Sequence, residues 1–132
     1  MTSLDHARAL LARACDDLYV VRHLRSEPDA PGWVLGFHAQ QAVEKALKSV
    51  LASRGIEYPR THNLVMLVEL VRRAQIVVPP DAAALGLLVP FGVLLGYEDV
   101  GDAEPPLIEP DGFEGLVTRT VDWAVDNLKK EN

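Results

Sequence analysis

Apolar residues recur at Leu4, Ala7, Leu11, Ala14, Leu18 and Val21, with spacings that alternate between three and four. That is the stripe of one amphipathic helix. Glu27-Pro28-Asp29-Ala30-Pro31-Gly32 ends it, because prolines lack a donor and glycine adds backbone freedom. The pattern predicts a second helix from near Gly32 to Arg54, with Gly55 as its stop. Tyr58-Pro59-Arg60-Thr61 reads as a turn, after which Thr61 or Asn63 caps a third helix from about Asn63 to Ala74. Leu64, Leu67, Val68 and Val71 form its apolar face. Val78-Pro79-Pro80-Asp81 is a helix-start signal with Asp81 as the cap, and a fourth helix is expected from Ala82 to about Gly96, kinked at Pro90. Residues 97–110 read as loop, and a last helix runs from about Asp111 to Lys129 with Phe113, Val117, Val121, Ala124 and Leu128 on one side. Only Gln75 to Val78 has β-like character. The expected fold is all-α: an up-and-down helical bundle of about five helices, forming one domain over residues 1–132.

Composition narrows the function. The chain has 132 residues, 48% of them hydrophobic and 24% charged, which suits a globular protein with a real core and not a disordered one. With Cys15 alone, neither an intramolecular disulfide nor a cysteine-cluster zinc site can form. On helix one Cys15 is expected beside Ala14 and Leu18 as a buried, inert thiol. Residues 1–17 carry charge throughout, unlike a secretory signal. The uncharged run Ala82–Tyr97 is shorter than the ~20 residues a membrane span needs. A cytoplasmic protein without a membrane role is expected. The net charge of −6 hides an asymmetry: residues 1–75 hold ten Lys/Arg against eight Asp/Glu, and residues 76–132 hold three against eleven. A broad basic face for long nucleic acid is therefore absent, and an anion site has to be local and in the first half.

Helix two holds the densest chemistry. At about 100° per residue, Leu35, Ala39, Ala42, Val43, Ala46 and Val50 cover one arc, while His38, Gln41, Lys45 and Lys48 line the other side at spacings of three, four and three. An imidazole, an amide and two ammonium groups in a row suit a phosphate or nucleotide, although such a stripe is equally the solvated face of a helix. Trp33 and Phe37 beside it are either stacking aromatics or core. Arg60 and His62 stand near the amino end of helix three, where free N–H groups favour anions. If helices two and three form a hairpin, this pair joins Lys45 or Lys48 in clamping a phosphate. Alternatively His62 caps or packs under the turn.

Phe37-His38-Ala39-Gln40-Gln41-Ala42-Val43-Glu44-Lys45-Ala46-Leu47-Lys48, then Gly55-Ile56 and Pro59-Arg60-Thr61-His62-Asn63-Leu64, resembles the HEPN domain, the "higher eukaryotes and prokaryotes nucleotide-binding" family. Ala14-Cys15-Asp16-Asp17-Leu18 is similar to its first helix. The likeness is close over residues 4–70 and general beyond. It implies a small helical bundle, commonly a homodimer, that in bacteria is often encoded beside a minimal nucleotidyltransferase as a toxin–antitoxin type pair. Its expected ligand is a nucleotide or an RNA end, with no cofactor and no metal. The groove would be lined by His38, Gln41, Lys45, Lys48, Arg60, His62 and Tyr97.

Several branches of that superfamily are metal-independent ribonucleases that use an arginine, four to six intervening residues and a histidine. No histidine here has an arginine at that distance; the pair that comes nearest to that spacing, Arg54 and His62, is eight apart. Where relatives carry an Arg-Tyr-Pro-like triplet, this chain reads Gly96-Tyr97-Glu98-Asp99, which keeps only the tyrosine. The resemblance therefore points to a nucleotide-binding or interaction module, with a ribonuclease with a degenerate site or a purely structural dimerisation module as alternatives. Two features bear on association. The helix from Ala82 to Tyr97 is apolar nearly all round and is expected at a dimer or partner interface. The acidic loop with Glu98, Asp99, Asp102, Glu104, Glu109 and Asp111 is either simply solvated or docks a basic partner.

Overall fold

A computed structural model describes residues 2–92 and 110–131. Among them are five α-helices and no strand: α1 (Ser3–Leu24), α2 (Gly32–Ser53), α3 (Leu64–Arg73), α4 (Val89–Gly92) and α5 (Pro110–Lys129), with a 3-10 helix over Ala82–Leu88 ahead of α4. The result is the expected all-α bundle. No helix among the described residues is long and apolar enough to cross a membrane.

The helix ends follow from local chemistry. Thr2 and Asp5 open α1 as a capping box: the Asp5 N–H donates to Thr2 Oγ1 and the Thr2 N–H donates to the Asp5 carboxylate. Those bonds hold the Asp5 carboxyl below the usual carboxylate range. Asn63 caps α3, its side-chain oxygen accepting from the N–H groups of Val65 and Met66. At the end of α2, Gly55 sits at φ 68°, where the Ile56 N–H donates to Leu51 O and the Gly55 N–H to Ala52 O. This is a Schellman closure, which needs a left-handed residue. A Cβ at Gly55 meets nothing within 4 Å, so only backbone strain opposes one. Gly55→Ala is expected to lower stability by about 1 kcal/mol, read as a lower urea midpoint with unchanged slope. The same closure ends α3, with Gln75 at φ 62° in the glycine position.

Helix α2 lies at the centre, with 15 of its 22 residues buried. It packs against α1, α3, α4 and α5, so its apolar arc and part of its polar side are both covered. The chain does not make a tight hairpin from α2 to α3. Residues 54–63 run back along α2 until His62 O accepts a bond from Gln40 Nε2 at 3.1 Å. Helix α3 then climbs beside α2, and Gln75 lines the same cavity as Arg54. The two helices thus run in the same direction, with the long connection taking the return path.

The expected fourth helix differs from a kinked α-helix as far as the described residues reach. Residues 82–88 wind as 3-10, and Pro90 falls in the first turn of α4, where its missing donor costs nothing. Asp81 makes no cap; its carboxylate instead takes Arg119 Nε at 2.5 Å, tying this segment to α5. Of the apolar residues there, Leu85, Leu88 and Phe91 enter the core while Leu87 stays half-exposed. Phe91 meets Trp33 and Phe113 edge-on, at centroid distances of 5.3 and 5.6 Å. It also lies flat against Gly36, where a Cβ would come within 2.3 Å of the ring. Residues 93–109, which include the rest of the expected helix and most of the acidic loop, lie outside the described residues.

Candidate functional site

The polar side of α2 is organised by two carboxylates. Asp17, buried on α1, faces His38 and Lys45: its Oδ1 lies 2.9 Å from His38 Nδ1 and its Oδ2 accepts from Lys45 Nζ at 2.6 Å. Asp17 and Leu18 are adjacent on α1, so the helix buries a leucine and a carboxylate against the same neighbour. One anion between two donors from α2 locks the register of the α1–α2 pair.

Glu44 on α2, with a side chain only 6% exposed, organises the second cluster. Its Oε1 lies 2.8 Å from His62 Nδ1 and accepts from Gln40 Nε2 at 3.0 Å, while Oε2 accepts from Lys48 Nζ at 3.1 Å. Gln41 Nε2 donates to Gln40 Oε1 at 2.7 Å, which closes a chain of amides. Among the described residues no buried side-chain nitrogen or oxygen is left without a bond. A network of this kind is stable because every member is satisfied. The end of α4 covers it: a Cβ on Gly92 would come within 3.0 Å of the Gln40 amide.

The expected site residues therefore fall into several settings. His38 and Lys45 meet through Asp17, and Lys48 and His62 meet through Glu44. Gln41 is buried, and both lysines and His38 are partly buried, so the stripe is not the free solvated face of a helix. Arg60 is exposed and takes part in none of these bonds. Tyr97 lies outside the described residues. Trp33 and Phe37 are partly buried, Trp33 against Phe91 and Phe37 edge-on to His38 at 5.2 Å. Cys15 is exposed, contrary to expectation, because one position beyond Ala14 turns it off the buried stripe of Ala7, Ala14, Leu18 and Val21. Partial burial, then the neighbouring Asp16, push its thiol above the ordinary cysteine value, so exposure does not activate it.

Asp17, Gln40 and Glu44 were not singled out from the sequence as site residues. A readable signal existed for each of them. Gln40, Glu44, Leu47 and Leu51 repeat at spacings of four, three and four. Leucines at 47 and 51 mark a second buried stripe, and the polar residues within it had to be buried too. Asp17 carried the same signal, three residues after Ala14 and four before Val21 on the buried stripe of α1, although its partners come from another helix and were not readable.

The network reaches the surface at Tyr58. Lys48 Nζ lies 5.5 Å from the Tyr58 ring centroid, and the phenol oxygen is 3.3 Å from His6 Nε2. Burial, then the nearby Glu44 charge, raise the Tyr58 pKa above that of a free tyrosine. A proton held more tightly in the folded state means that stability is intact below the ordinary tyrosine pKa of about 10 and falls as pH rises through the folded value. Ultraviolet titration of the tyrosines is expected to show a late phase, above about pH 10, that Tyr58→Phe removes.

Two imidazoles are thus each fixed at Nδ1 by a buried carboxylate, with Nε2 on the side away from that bond; His62 is 53% exposed and His38 28%. Each carboxylate is also balanced by a lysine. Such an arrangement orients ring nitrogens for hydrogen bonding or proton exchange. Among the described residues no group of three or more histidine, cysteine, aspartate or glutamate side chains is placed to hold a metal ion. No curated protein and no solved structure matches the chain. Residues 7–105 match the family model for the HEPN domain, three quarters of the chain, and the chain belongs to that family.

Proposed function

We propose that this HEPN-domain chain is an interaction and nucleotide-binding module, one half of a two-component pair with a minimal nucleotidyltransferase, of toxin–antitoxin type. In this reading it works as a homodimer in the cytoplasm. The observation that supports it is the pair of carboxylate-held imidazoles, His38 and His62, flanked by Lys45 and Lys48. The lysine charges are already offset by Asp17 and Glu44, so the groove attracts phosphate weakly and discriminates by hydrogen-bond geometry. Arg60 supplies an exposed cation two residues before the exposed His62.

The test is a native pull-down of the tagged chain from its own cells, followed by nucleotide binding to the purified protein. A stoichiometric nucleotidyltransferase is expected, together with nucleotide binding that His38→Ala and Lys45→Ala weaken. Recovery of the chain alone would remove the two-component reading. A second reading, RNA cleavage, draws support from the carboxylate-held His62, since a positioned imidazole is the usual proton-transfer group. RNA left intact by the pure protein, with and without divalent metal, counts against it.

A further inference from the structure

At the end of the bundle where α2, α3 and α5 all terminate lies a cavity of about 390 Å3, within the size range of small-molecule sites. None of its lining residues belongs to the two carboxylate clusters above. Its first wall is Arg54, whose Nη2 donates to Asn127 Oδ1 at 3.2 Å and whose Nε lies 2.7 Å from Glu131 Oε1. Asn127 is itself buried and donates to Trp123 O at 2.9 Å. The guanidinium is therefore held in place before any ligand arrives, and neither bond uses its Nη1.

The second wall is Gln75, the one non-glycine residue in the left-handed region among the described residues. Glycine would close this helix end without strain, as Gly55 does for α2. A strained side chain lining a cavity is the kind of outlier that accompanies a binding role. The floor is apolar: Ile76 is buried, and Trp123 is fixed by its Nε1 donating to Val77 O at 2.8 Å.

Charge decides the ligand class. Arg54, its charge already partly offset by Glu131, and Lys130 face the cavity together with Asp126, and three helix carboxyl ends add partial negative charge. A simple anion is opposed by the helix ends and Asp126, and a simple cation by Arg54 and Lys130. A small molecule carrying both signs on a short hydrocarbon body satisfies all of them. We propose that this cavity binds a free apolar α-amino acid. Its carboxylate sits on Arg54 and Lys130 with the Gln75 amide, its ammonium on Asp126, and its side chain over Ile76 and Trp123.

The test is a titration of the full-length, nitrogen-15-labelled chain with L-leucine, followed through the Trp123 indole and the Gln75 and Asn127 amide signals. Leucinamide, which lacks the carboxylate, and 4-methylpentanoate, which lacks the ammonium, are the comparison ligands. Saturable shifts are expected with leucine, with at least about tenfold weaker binding of either analogue, as loss of a charge-assisted contact implies. Asp126→Asn and Lys130→Gln change exposed side chains and leave the fold in place; each is expected to weaken leucine about tenfold. Gln75→Gly is expected to raise the thermal midpoint while weakening leucine binding. Absence of saturable shifts with leucine overturns the proposal, as do equal affinities for the three ligands or unchanged affinity in Asp126→Asn.

Discussion

Gly36→Ala is expected to destabilise the protein at the upper end of the about 1–3 kcal/mol typical of overpacked cores. The added methyl would stand 2.3 Å from two carbons of the Phe91 ring, and something has to move. The ring has nowhere to go, since Phe91 is 1% exposed and wedged between Trp33 and Phe113. Helix α2 cannot shift cheaply either, being packed on nearly every side. A urea midpoint well below that of the parent is the expected reading. Phe91→Leu alone also costs stability, by leaving space. In the Gly36→Ala/Phe91→Leu pair the two costs are expected to fall short of additive, because the smaller side chain makes room for the methyl. Strict additivity would show that the ring and the glycine do not oppose each other.

Glu44→Ala is expected to cost about 3–5 kcal/mol, the usual consequence of removing one member of a buried ion pair. The loss strands several groups at once: Lys48 Nζ and His62 Nδ1 lose their acceptor, and Gln40 Nε2 keeps only the His62 carbonyl. Glu44→Gln keeps the shape and an acceptor oxygen, so a smaller loss is expected. Because Glu44 is shielded from solvent, the penalty should change little between low and moderate salt. By contrast, Glu69→Ala removes only exposed pairs with Arg72 and Arg73 and is expected within about 1 kcal/mol of the parent. Comparable urea midpoints for Glu44→Ala and Glu69→Ala would show that the inner network carries no stability.

What the sequence made legible was local. Spacing of apolar residues gave all the long helices, and the caps at Gly55 and Asn63 were readable because glycine and asparagine act on their own backbone neighbours. Asp81 misled for the same reason in reverse: its carboxylate has a choice, and Arg119, 38 positions away, wins it. The stripe His38, Gln41, Lys45 and Lys48 was likewise visible, but its setting was not. A helical wheel assumes one covered side, whereas α2 is covered by four other helices. Pairings such as His38 with Asp17 or His62 with Glu44 depend on which helix lies against which, and no residue period records that. The return path of residues 54–63 escaped for the same reason, since turn residues mark where a helix stops and not where the chain goes next.

The central position of α2 also governs how the molecule opens. Amide protons on its middle turns can meet solvent only if the helices around it part, so their exchange requires disruption of the whole bundle. The 3-10 segment and the four-residue α4 have fewer neighbours and short hydrogen-bond ladders, and their amides exchange through local fraying. The protein therefore carries its own stability gauge: the slowest-exchanging amides of α2 report the global unfolding free energy, while faster ones near Phe91 report how readily the cover over the Gln40–Glu44 network lifts.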